Sequence, residues 1–113
     1  MSETLDAIFQ KFGIPVEETA FPSPPDGDFA VWGQSIRTEG GDYTAFPKSC
    51  SVILEYYEPS DLGGTKTRDH IMDVLDEAVE AGEIEPWSAE PRVWLEDVRL
   101  YMTTFNFDYY WRE

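Results

Sequence analysis

From Arg99 to Trp111 the chain alternates, with Tyr101, Thr103, Phe105, Phe107, Tyr109 and Trp111 at odd positions and Leu100, Met102, Thr104, Asn106, Asp108 and Tyr110 at even ones. Successive side chains of a strand point to opposite faces, so one face here is aromatic and the other turns from apolar to polar toward the C-terminus. No Gly or Pro interrupts the run. At about 3.3 Å per residue it extends roughly 40 Å, far enough for its end to project beyond a small domain. Cys50 to Glu58 has the same parity, with Val52, Leu54 and Tyr56 on one face and Ile53, Glu55 and Tyr57 on the other. Apolar residues on both faces predict a central strand. A short strand is expected over Phe29 to Gly33, and after a turn at Thr38 to Asp42 the segment Tyr43 to Phe46 is expected to pair back until Pro47 ends it.

Two stretches carry helical periodicity instead. Leu5, Ile8, Phe9 and Phe12 fall at i, i+3, i+4 and i+7, with Ser2 placed to cap the start and Gly13 to stop the end. In the second, Ile71, Leu75, Ala78 and Val79 form the apolar stripe, widened by Met72. Thr65 or Thr67 can cap its start, and Gly82 suits the left-handed position after its end. Between the first helix and the first strand, Phe21 to Asp28 holds too many prolines for regular structure and reads as a surface loop. Ile84 to Trp87 is edge-like and tolerates Pro86, and Ser88 to Asp97 is either a bulged strand or two strands joined at Glu96-Asp97. The order predicts a single α+β domain over residues 1–113, a mostly antiparallel sheet covered by one or two helices.

Charge changes this picture. The 113 residues include 23 Asp and Glu against 8 Lys and Arg, a formal net charge of -15. Such a balance repels phosphate backbones and anionic membranes, so neither specific nucleic-acid binding nor a membrane partner is expected. A hydrophobic content of 42% still separates the chain from disordered acidic sequences. Cys50 has no second cysteine to pair with, which fits a reducing cytoplasm. There is no basic-then-apolar leader pattern and no apolar run of about 18 residues.

Candidate chemistry is sparse. His70 is the sole imidazole and is expected to be structural on a solvated helix face, and no nucleophile has a visible base. Asp26-Gly-Asp28 lacks the further oxygen ligands of a calcium loop, and neither Gly40-Gly41 nor Gly63-Gly64 is followed by the Lys and Ser/Thr of a phosphate loop. No catalytic residue, metal or cofactor is expected, and the chain is not read as an enzyme. The rings of Trp32, Trp87, Trp94 and Trp111 with those of Tyr56, Tyr57, Tyr109 and Tyr110 could suggest a base-stacking platform, but such platforms need a basic groove. They are expected instead in the core and at a subunit interface, with Tyr57, Tyr109, Tyr110 and Trp111 as interface candidates.

Three segments carry a family likeness: Val52 to Glu58, a helix over roughly Thr67 to Ala81, and Trp94 to Tyr109. In this arrangement the chain resembles the small head-tail joining, or tail-completion, proteins of long-tailed bacteriophages and prophages. The resemblance implies a non-enzymatic virion protein, assembled in the bacterial cytoplasm into a ring, expected to be hexameric, at the head-proximal end of the tail tube. Its partners would be copies of itself, the tail tube and the head connector. Asp69, Asp73, Asp76 and Glu80 would then be candidates for an acidic lumen that DNA passes without sticking. The competing expectation is an acidic DNA mimic that occupies the basic groove of a nuclease or regulator.

Overall fold

The computed structural model describes residues 3–23, 25–38, 48–59 and 65–111. These form two helices and six strands in the order α1 (Glu3–Gln10), β1 (Val16–Glu18), β2 (Phe29–Thr38), β3 (Lys48–Glu58), α2 (Thr65–Glu80), β4 (Ser88–Ala89), β5 (Val93–Leu95) and β6 (Leu100–Trp111). The sheet runs β1-β2-β3-β6-β4, with β5 also paired to β6. The class is α+β, as expected. The sheet is mixed, however, because β1 lies parallel to β2 while the other pairings are antiparallel.

Three long strands form the body. β3 sits in the middle, in register with β2 from Phe29↔Tyr57 to Thr38↔Lys48 and with β6 from Lys48↔Trp111 to Glu58↔Tyr101. The far end of β6 therefore does not project alone; β2 and β3 accompany it, and the molecule is drawn out to 52 × 29 × 22 Å. β2 extends five residues past the predicted Gly33, to Thr38. The strand expected at Tyr43 to Phe46 lies outside the described residues, as do Ser2 and Gly63-Gly64. The strand that pairs back onto β2 is β3 itself.

Both helices lie against one face of the sheet. Leu5, Ile8, Phe9 and Phe12 of the first stripe are all buried, as are Ile71, Leu75 and Ala78 of the second. Val74 joins them, a position that the predicted stripe omitted. They meet Trp32 of β2, Val52 and Leu54 of β3, and Phe105 and Phe107 of β6 in one core. The Phe9 ring packs 5.2 Å from that of Trp32. α2 begins at Thr65, which leaves Thr67 inside the helix rather than capping it. Its end matches expectation: Gly82 has φ +75°, its N–H donates to the Val79 carbonyl at 3.0 Å, and that of Glu83 donates to Ala78 at 2.9 Å. These two bonds satisfy carbonyls that a helix end otherwise leaves unpaired.

After α2 the chain runs along the outer edge of β6. Glu85 donates its N–H to the Asp108 carbonyl at 2.8 Å and Glu90 donates to Thr104 at 2.9 Å, either side of the short β4. Residues 88–97 form neither one bulged strand nor a single strand up to the junction: β4 and β5 are separated at residues 90–92, and the turn that joins β5 to β6 covers residues 96–99, with the predicted Glu96-Asp97 as its first half.

Candidate functional site

Among the described residues, no helix or further strand packs on the side of the sheet away from the helices. Parity assigns Val31, Ile53, Glu55, Tyr57, Met102 and Tyr110 to it, since each pairs across the register with another residue of the same face. Ile53 and Tyr110 are 51% and 56% exposed. At the end of this face near the β5–β6 turn lies a groove of about 830 Å³. One wall is formed by residues 19–21 and 25–27, the other by Leu95 and residues 97–100, and Phe29, Val31, Glu55 and Tyr57 form the floor. Stacked rings build that floor. Phe21 meets Phe29 edge-on at 5.5 Å, and Phe29 lies nearly parallel to Tyr57 at 5.0 Å. The Tyr57 hydroxyl donates to Glu55 Oε1 at 3.2 Å. Burial, and then the adjacent Glu55 charge, pushes this hydroxyl up to about 12, so it remains a neutral donor at neutral pH.

Both groove walls hold backbone in an unusual conformation. Among the described residues the non-glycine positions with positive φ are Thr19 at 73° and Arg99 at 58°, and both line the groove. Thr19 is β-branched, for which that region is sterically poor. It sits at the centre of a tight turn in which the Ala20 N–H donates to the Glu18 carbonyl at 2.8 Å, and its own N–H is held by Trp32 O at 2.8 Å. The Arg99 N–H closes the β5–β6 turn by donating to Leu95 O at 2.7 Å. Backbone in such regions persists only where the surroundings hold it, and it concentrates at binding sites.

A second cluster lies at the same end of the sheet but on the helix side. Glu58 ends β3 with 1% exposure, and its Oε1 is 2.8 Å from Arg92 Nε. The Arg92 guanidinium also lies 3.9 Å over the Tyr101 ring. The Tyr56 hydroxyl stands between two carboxylates, 2.9 Å from Asp28 Oδ2 and 3.3 Å from Glu58 Oε2. Burial is the first cause that raises the Glu58 carboxyl above its ordinary value, and Arg92 opposes this only in part. Burial, then the bond to Asp28, drives Tyr56 well above the usual phenol range. The arrangement ties β2, β3 and the approach to β5 together. No group of three or more His, Cys, Asp or Glu among the described residues could hold a metal ion. Sequence reading missed the cluster, although a signal existed: Glu58 shares its parity with Leu54 and Tyr56, the face that becomes the core.

The interface candidates separate. Tyr57 floors the groove and Tyr110 stands out on the bare face. Tyr109 does neither; it is 2% exposed in the core, with its hydroxyl donating to Gln34 Oε1 at 3.2 Å. It belongs to the same aromatic face as Phe105 and Phe107, so its ring is not available to a neighbour. Trp111 pairs with Lys48 in the ladder, and its side chain lies outside the described set. Asp69, Asp73, Asp76 and Glu80 are all exposed on the outer side of α2, on the opposite side of the sheet from the groove. Asp76 also accepts the Trp87 indole N–H at 2.9 Å. His70 has the structural role expected of it. Its Nε2 is 2.7 Å from the Lys11 carbonyl, and because a carbonyl only accepts, Nε2 carries the hydrogen and clips α2 to the end of α1. Cys50 is buried.

No helix among the described residues is long and apolar enough to cross a membrane. No protein-family model matches the chain, and no curated protein does. Among solved structures, a chain described as the virion of a native gene transfer agent particle is similar in fold, with a TM-score of 0.56 and 12% identity, over 99% of this chain and 87% of that one.

Proposed function

We propose that this chain is a non-enzymatic structural protein of a phage-like particle, a tail-completion component that forms a ring where the tail tube meets the head. The observation that carries this is the likeness in fold, over 99% of the chain, to a chain of a gene transfer agent virion. Two further features support it. The exposed acids of α2 form one continuous face, with Asp69, Asp73, Asp76 and Glu80 at helical spacing, which suits a wall past which DNA slides. Tyr110 and Ile53 give the uncovered sheet face apolar surface for a neighbouring subunit.

The test is assembly. Purified chain is mixed with tail tubes that lack their terminal ring, and the mixture is read by negative-stain microscopy and sedimentation. Rings capping one end of the tubes are expected. A chain that stays monomeric alone and leaves the tube ends bare would overturn the proposal.

A further inference from the structure

The geometry points to the groove between residues 19–21 and 25–27 on one side and the β5–β6 turn on the other as a docking site for a partner segment that combines apolar side chains with Lys or Arg. Its floor is aromatic, and Val98, 54% exposed on the rim, adds apolar surface that the fold itself leaves unburied. A volume of 830 Å³ accommodates a few side chains of an inserted segment. The charged residues that line it are Asp26, Glu55, Asp97 and Arg99, three acids against one base.

Charge decides the occupant. A second copy of this chain brings the same excess of acid, with 23 Asp and Glu to 8 Lys and Arg, and meets an acidic rim with like charge. Nucleic acid and anionic lipid are repelled for the same reason. A purely basic tail would satisfy the rim but leave Val98 and the half-buried Tyr57 without apolar cover, Phe29 being already buried by its neighbours. A segment that alternates apolar and basic residues satisfies both. The Thr19 N–H bonded to Trp32 O and the Arg99 N–H bonded to Leu95 O tie each wall to a strand of the sheet, and the more of the groove that is formed before a partner arrives, the lower the ordering cost of binding. The inference rests on the groove and not on ring formation, so each can fail without the other.

The probe is a fluorescent peptide of alternating leucine and lysine, titrated by anisotropy into the full chain at about 0.15 M salt, where long-range attraction is largely screened. Its counterpart of leucine and glutamate serves as control. Binding of the lysine peptide alone is expected, with amide shifts in NMR at Val31, Tyr57 and Leu100. The double substitution Asp97→Lys with Val98→Ser, both at exposed positions, should weaken it about tenfold. Asp73→Lys with Glu77→Lys on the far side of α2 should change it less than about twofold. Three results would overturn the inference: equal binding of the glutamate peptide, equal loss from the α2 substitutions, or no binding. So would self-association that the Asp97→Lys, Val98→Ser chain loses, since the occupant would then be a second copy.

Discussion

The two faces of the sheet are made from the same three strands and by the same alternation, yet they serve different ends. Toward the helices the inward positions of β3 are Cys50, Val52, Leu54 and Tyr56, each at most 1% exposed, and those of β6 from Phe105 to Tyr109 are at most 3% exposed. Away from the helices the intervening positions include Ser51, Ile53, Asp108 and Tyr110, all exposed. The contrast shows that apolar content does not identify the buried face in this chain. Ile53 is as apolar as Leu54, and Tyr110 is the same residue as Tyr109. What distinguishes them is whether the stripes of α1 and α2 reach them, and the uncovered face keeps apolar residues that burial within the chain does not require.

Truncating the centre of the covered face should break the contrast most sharply. Phe105 has no exposed surface, pairs with Leu54 in the register and packs 5.8 Å from the Trp87 ring. Phe105→Ala removes that area and leaves a cavity between sheet and helices, at an expected cost of about 3–5 kcal/mol. Urea unfolding followed by tryptophan fluorescence measures it. A loss no larger than that of an exposed substitution would mean that the covered face is not the centre of stability.

An intermediate effect is expected at Glu58, where the covered face holds a charge instead of a hydrocarbon. Burial raises the folded carboxyl above the ordinary glutamate value in spite of Arg92, so over that interval the folded chain binds more protons than the unfolded chain. Its contribution is complete below the unfolded value and is lost as pH rises through the folded one. Glu58→Gln keeps the shape and cannot titrate. As pH rises from the ordinary glutamate value through the folded one, wild-type stability relative to the Gln chain should therefore fall. Urea midpoints across that range provide the test, and a relative stability that rises instead would show that the Arg92 pair outweighs the cost of burial.

Much of the covered face was legible in the sequence, because its determinants are local. Parity placed Val52, Leu54 and Tyr56 together, the helical stripes named their buried residues apart from Val74, and Gly82 marked the end of α2. The groove was not legible. Its walls and floor come from residues near 20, 30, 56 and 98, which only the β2–β3–β6 register brings together. Nor does any residue type announce the positive φ of Thr19, where the bond to Trp32 imposes a conformation that threonine does not favour by itself. The parallel pairing of β1 is equally non-local. Tyr109 was misplaced for a different reason: grouping it with Tyr110 and Trp111 followed position along the chain, where parity already put it with Phe105 and Phe107.

That misplacement decides how the uncovered face should be probed. Removing the residues after Asp108 would delete Tyr109 from the core together with Tyr110 from the surface, so lost assembly could reflect lost folding. Tyr110→Ser separates the two. The ring is 56% exposed and its neighbour across the ladder is Ser49, so the substitution should alter stability by no more than about 0.5 kcal/mol. If the uncovered face meets a neighbouring subunit, the same change should reduce ring formation on tail tubes while urea midpoints stay in place. Unchanged rings would remove Tyr110 from the interface. A large drop in stability would instead show that the ring is part of the fold, and the distinction between the two faces would then end before β6 does.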